Sequence, residues 1–499
     1  MRAYGYAYGT PFLMFGGTSL GTTIALNHYN RVIAAGGVLP CGVAALASVL
    51  DGICTALSIT SEAQFQTTVP EFLDPHYSGY LGGAGSGPTL GQACQKIFNL
   101  AGASGDVSQG AAGSMPLLLA YDGVNKYVWL PGVAGNYFST PNAPANQITG
   151  DIEIISKRIK IKDYLGTYAI ASKGDQGSNR GWVLRCSGGI MQFYFSQSGT
   201  GMVATTTSIS LATAGYTADT EYYFKVSRNS TTGTVKYYGS SDGVTYSQIG
   251  TDVTANTGAM YNSTGQICIG AWNNDSNHFL GSIGGVSVSN TIGGAPVIDF
   301  NSNNYNASVS QTQFTTATGE TYTLNVGTAT TGLKACIVDR VITQYDGVGM
   351  FMNSATATRP DICSQYLAYK SENANGGGYP IIDSNSANYQ NSFAPEAANM
   401  RLYMNNSLSG LGKTLGTSLT IWTSTNNQGV LNTLQKNNDT EASNTYTPAL
   451  SGLGLKIGRA GSSAVYQKGI VNSYLCVNGI NTTTQRTAMY SILRTMNNL

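Results

Sequence analysis

Along most of the chain, apolar side chains recur at every second position. In EYYFKVSRN, Tyr222, Phe224 and Val226 fall on one face of an extended strand, and Tyr223, Lys225 and Ser227 on the other. The next stretch, TVKYYGSSDGVTYSQIG, reads as two alternating strands around Ser241-Asp242-Gly243, with Asp-Gly supplying the turn. In GDIEIISKRIKIKD the apolar set moves from Ile152 and Ile154 to Ile159 and Ile161, so a bulge is expected near Ile155–Ser156. One long sheet of such strands would leave an apolar face in water. Two sheets packed face to face are therefore predicted.

The ends of the chain follow a longer period. After Pro40, Val43, Leu46, Leu50, Ile53 and Leu57 recur at helical spacing. Upstream, SLGTTIALNHYNRVIAAGG reads as a helix stopped by Gly36–Gly37, and TLGQACQKIFNLAG predicts a third helix capped by Thr89. VPEFLDPHYSGYLGGAGSG between them reads as a polar, glycine-rich loop. At the other end, Met489, Ile492, Leu493 and Met496 share one helical face, as a helix sealing the end of a sandwich would require.

Part of the β region occurs twice. ICIGAWNNDSNHFLGSIGGVSVSN (267–290) slides without a gap over LKIGRAGSSAVYQKGIVNSYLCVN (455–478), aligning Gly270 with Gly458, Gly281 with Gly469 and Asn290 with Asn478. A second marker, Tyr121-Asp122-Gly123-Val124, recurs as Tyr345-Asp346-Gly347-Val348, in the same order relative to the first. One sandwich used twice is the expectation, since solenoid repeats are far shorter. Residues 1–110 then form a helical adaptor, 111–331 a first sandwich with an extra hairpin near 295–328, and 332–499 a second with its terminal helix.

Composition narrows the function. Only 10% of residues are charged and the net charge is +1, so no field draws the chain onto a phosphate backbone; nucleic-acid binding is not expected. The opening MRAYGYAYGTPFLMFGG is too interrupted for a signal peptide, and no run approaches a membrane span, so no membrane insertion is expected. The eight cysteines never form CxxC and read as free, buried thiols.

Candidate chemistry is sparse. The nearest approach to paired carboxylates is Asp151-Ile152-Glu153, with Asp219 and Glu221 next, and both read as strand-edge charges. The three histidines, His28, His76 and His278, stand in unrelated contexts, without HExxH, a GxSxG elbow, a Walker motif or a dinucleotide fingerprint. A sugar-binding site needs a flat ring beside amides or carboxylates, and Trp272 with Asn273, Asn274 and Asp275 has that make-up. The aligned second-copy segment, Arg459-Ala460-Gly461-Ser462, lacks the ring. Trp129 and Trp182 lie in strands and are expected in the core.

PLLLAYDGVNKYVWLPGVAGNYFSTP, ITGDIEII and YYFKVSRNSTTGTVKYYGSSDGVTYSQIG resemble the concanavalin A-like (laminin-G-like) jelly-roll sandwiches, in the form found in tail, fibre and decoration proteins of tailed bacteriophages. GQACQKIFNLAGASGDVSQGAAGSMPLLL is similar to the lead-in before such domains, and the resemblance spans roughly residues 90–330. It implies a mainly β chain of two tandem sandwiches behind a small helical region. It also implies a non-enzymatic virion structural protein, made in the host cytoplasm. The adaptor would dock on other virion proteins, the chain would form a homo-oligomer, and the sandwiches would be displayed towards a host-surface glycan. No cofactor is required, although domains of this type hold calcium at one rim, where Asp122, Asp346 and the 273–277 loop could contribute. Against calcium, Asp-Gly and Asn-Asn also serve as plain turn residues. Two other readings stand beside this one: a glycan-binding adhesion module of a bacterial surface, and a glycoside hydrolase of laminarinase type.

Overall fold

The alternating segments pair into antiparallel sheets. The computed structural model describes residues 19–82, 92–102, 106–111, 114–119, 121, 124–175, 177–272, 276–327, 332–346, 352–353, 363–371, 382–384, 392–396, 399–404, 407–414, 420–427, 431–437, 439, 442–444, 455–457, 468–479 and 481–497. It is mainly β, with two sandwiches and a helical N-terminal region.

The first sandwich packs an eight-stranded sheet on a nine-stranded one. Trp182, Leu184, Phe193, Phe195 and Ile269 from the first interleave with Ile154, Ile159, Phe224, Val226 and Ile283 from the second. The turn at Asp242 forms as expected, its carboxylate accepting from the backbone N–H of Val244 and Thr245. The hairpin Gln313–Thr315 with Thr321–Asn325 joins this unit, as expected. The bulge falls slightly later than the apolar pattern suggested. Arg158 takes φ +53°, and the register shifts opposite Ser156–Ile159.

The repeat lands on matching strands. Ile267–Ile269 and Leu455–Ile457 are one pair; Leu280–Ser289 and Lys468–Asn478 are the other. Gly281 shows why a glycine is needed, because a Cβ there would lie 1.9 Å from the Lys160 carbonyl oxygen.

The domain boundaries differ from the expected ones. Glu71–Leu73 pairs with Tyr474–Cys476, and Leu117–Leu119 pairs with Ile342–Gln344. Gln92–Ile97 is a strand, not the expected third helix. It hydrogen-bonds into both layers of the second sandwich, so its backbone serves the sheets. Its short apolar run fits either period, and pairing decides it. The supposed loop at 69–87 likewise supplies the strands Glu71–Leu73 and Tyr80–Gly82. The second sandwich is thus built from residues on both sides of the first, around Leu73, Ile97, Leu118, Tyr345, Leu367, Trp422 and Tyr474. The first sandwich is an insertion within it.

Helices α1 (Leu20–Ala34), α2 (Gly42–Leu57), α3 (Glu62–Thr68) and α4 (Thr483–Met496) cover the outer face of the second sandwich. Leu46, Leu50, Ile53, Phe65, Met489 and Leu493 pack there on Tyr366, Ile421 and Leu475. Ser19 caps α1 and Thr482 forms a capping box with Gln485. The apolar faces of the expected adaptor are therefore spent inside the molecule. All eight cysteines are free, and seven are buried.

The two crossings between sandwiches run side by side as a neck. Leu119 pairs with Ile342 and Tyr127 with Val338, so paired strands stand at both ends of the neck. Leu117, Leu119, Tyr127, Trp129, Val338 and Ile342 form the neck's own apolar cluster, which is where Trp129 is buried.

A buried polar network closes the junction. Asp74 accepts both Arg340 Nη2 contacts at 2.7 and 2.6 Å, Ser473 Oγ at 2.7 Å and the His76 N–H at 2.8 Å. Arg340 Nη1 also donates to Asn497 Oδ1 and to the Met496 carbonyl at the end of α4.

Two tests follow from this arrangement. A fragment of residues 121–340 should unfold in one cooperative transition, whereas 332–499 should show no dispersed NMR spectrum, because its sheets lack the strands at 71–119. The second concerns acid. Burial pushes His28 and His76 down to about 4 from 6.5. An unfolded ring protonates near 6.5 and a folded one does not, so this contribution is intact above pH 6.5 and lost as pH falls towards 4. Melting temperature measured across that window should fall, with a shallower slope in His28→Gln/His76→Gln.

Candidate functional site

Strand parity decides what the eight-stranded sheet shows to the outside. With Trp182, Leu184, Phe193 and Phe195 in the core, Val183, Arg185, Gln192 and Tyr194 face outwards. One row of Cα partners crosses the whole sheet: Ala204, Tyr194, Val183, Ser172, Cys268, Ser139, Thr323 and Gln313. The middle of this row, Val183, Ser172 and Cys268, is covered, while Ala204, Tyr194, Ser139, Thr323 and Gln313 keep access to solvent.

The loop after Ile267–Ile269 folds over that face. Gly270 takes φ +86°, which turns the chain out of the strand. Trp272 N–H donates to the Ser276 carbonyl at 2.8 Å, Ser276 Oγ to the Trp272 carbonyl at 3.2 Å, and Ser172 Oγ to the Ala271 carbonyl at 2.9 Å. Trp272, partly buried, thereby reaches across two strands to Tyr194, ring centroids 6.5 Å apart and nearly perpendicular.

Arg185 occupies the corner between these rings. Its guanidinium carbon lies 4.2 Å from the Tyr194 centroid and 5.4 Å from that of Trp272. Nε donates to Gln192 Oε1 at 2.7 Å, which fixes the plane of the fork. Contact with two aromatic ring systems helps hold a cation in place. The arrangement offers ring edges, a rigid pair of N–H₂ groups and nearby hydroxyls, a set suited to polar ring ligands.

The other expected residues are placed less fully. Asn273, Asn274, Asp275 and Asp122 lie outside the described residues, as does the second-copy segment 459–462. Asp346 ends the strand Ile342–Asp346, paired with Lys468. Among the described residues no cluster of three or more His, Cys, Asp or Glu has metal-ligand geometry. Trp182 is in the sandwich core. Arg185 and Tyr194 were not picked out from sequence, though parity in GWVLRC and MQFYF places both opposite the core set.

The carboxylates of Asp151-Ile152-Glu153 hold turns. Asp151 Oδ1 accepts from Ser230 N and Oγ, both at 2.7 Å, and these bonds keep its carboxyl below the ordinary range. Glu153 is buried and accepts from the Gly293 N–H at 3.3 Å. Glu153 is therefore not the solvated edge charge expected, whereas Asp151, at the strand's edge, keeps access to solvent. Asp219 pairs with Lys160 at 3.3 Å and Lys162 at 2.9 Å, while Glu221 lies exposed at the start of its strand.

No protein-family model matches the chain, and no curated protein matches it. Several solved structures show a partial likeness. A heptameric SAP-like pentraxin from Limulus polyphemus shares 14% identity over 34% of this chain and 78% of its own, with a TM-score of 0.25. The LG4-5 domains of the mouse laminin alpha1 chain share 10% over 71% and 90%, TM-score 0.27. The CBM40 of Ruminococcus gnavus IT-sialidase bound to alpha2,3 sialyllactose shares 12% over 32% and 90%, TM-score 0.24. At such scores these likenesses carry no weight beyond themselves, and the fold rests on its own strand pairing.

Replacing Asp151 by Ala should cost about 1–2 kcal/mol in chemical denaturation by freeing the Ser230 turn, since bonds to a charged acceptor are worth roughly that much.

Proposed function

We propose that this chain is a non-catalytic binding and display protein whose first sandwich engages a surface glycan through Arg185, Tyr194 and Trp272. The observation that carries this reading is the Arg185 guanidinium held against the Tyr194 and Trp272 rings on the side of the sheet away from the core. A sugar ring packs on aromatic carbons, and its oxygens accept from a fixed fork at little entropic cost.

The setting we propose is the virion of a tailed bacteriophage, as part of a tail, fibre or capsid decoration assembled as a homo-oligomer. The support is the sequence likeness over residues 90–330 and the low-charge, amide- and hydroxyl-rich composition. Since α1–α3 spend their apolar faces on the second sandwich, docking onto other virion proteins would use other surfaces. A glycan-binding module on a bacterial surface uses the same face in another setting.

Trp272→Ala and Arg185→Ala should each abolish the glycan-array signal of the intact chain while leaving its melting transition in place. A signal unchanged in both variants would remove this face as the site. Mass spectrometry of purified particles lacking the chain would remove the virion setting.

A further inference from the structure

At the neck, where the chain passes twice between sandwiches, there is an open cleft of about 780 Å³. Ligand sites commonly occupy such junctions and span roughly 300–1,000 Å³. Its walls come from three places. The first sandwich gives Lys126 and the 303–308 segment, the second gives His76, Tyr77 and Met496, and the neck gives Tyr121, Asp339 and Arg340.

The lining selects a ligand class. Arg340 is bound to Asp74, and Lys126 Nζ donates to the Tyr305 carbonyl, so both cations already have acceptors. Asp339 adds a negative charge to the wall, and burial first and this charge second push the Tyr305 phenol up. An anionic ligand would find its attraction largely cancelled. An apolar ligand would strand the asparagine amides. Asn303 and Asn304 are exposed, and Asn306 uses its Oδ1 on Ser308, which leaves its Nδ2 as a donor. Tyr77, Tyr121 and Tyr305 supply ring surface around these amides.

Aromatic carbon, amide donors and acceptors, and balanced charge together match an uncharged polyol. We propose that this cleft is a second binding site, for a neutral oligosaccharide of about three sugar units. It is separate from the Trp272 face and does not rest on that assignment. Because both sandwiches contribute, the bound sugar bridges them across the neck.

The test is calorimetry on the intact chain with maltotriose, laminaritriose, chitotriose and, as an acidic comparison, trigalacturonate. The expected result is binding of at least one neutral trisaccharide, weakened roughly tenfold or more in Asn304→Ala/Asn306→Ala and changed less than about twofold in Trp272→Ala. Three results would overturn the proposal: no heat from any neutral trisaccharide at about 5 mM, preferential binding of trigalacturonate, or binding lost in Trp272→Ala but kept in the asparagine variant. The last would support the sheet face while sinking the cleft, so the two sites fail separately.

Discussion

The pairing of Arg340 with Asp74 is the contact on which the rest of the molecule depends. It joins residues 266 positions apart, with Arg340 just before the strand that re-enters the second sandwich and Asp74 just after one of that sandwich's first strands. Both side chains are almost fully buried, at 3% and 0% exposure. Burying two charges is costly, and an ion pair of this kind adds little net stability over an apolar substitute. What it adds is arrangement. Ser473 from the long strand Lys468–Asn478 and Asn497 after α4 converge on the same pair, so helix, sheet and neck are fixed by one set of charge-assisted bonds. Removing one partner would leave the other buried and unpaired, at a cost of about 3–5 kcal/mol.

That constraint bears on one of the two surfaces of interest. Arg340, held by Asp74, forms part of the cleft wall beside Asp339, Tyr121 and Lys126. The Trp272 face owes nothing to the neck. It depends on strand parity in the first sandwich and on Gly270 turning the loop back over the sheet. One surface is a by-product of how two units are joined, the other a property of one unit alone.

The sequence made the sheets, the repeat and the terminal helices legible because those features are local. Period two survives in Tyr222–Phe224–Val226, and helical spacing in Leu46–Leu50–Ile53, whatever the rest of the chain does. The insertion was not legible. Nothing in PEFLD says that its partner strand lies at 474–476, and the short apolar run in CQKIF fits a helix as well as a strand. Asp74 and Arg340 look like ordinary loop charges until the fold buries them. Of the candidate site, Trp272 could be found from its neighbours in sequence. Arg185 and Tyr194 required knowing which face of GWVLRC and MQFYF turns inwards.

The insertion also has a mechanical consequence. The first and last helices, α1 and α4, both pack on α2, so each end of the described chain is anchored to the same unit. Tension applied between those ends is borne by the helical layer and the sheet beneath it. The inserted sandwich hangs from its two-stranded neck outside that load path. An inserted unit carried in this way can be tugged through its scaffold without being stretched.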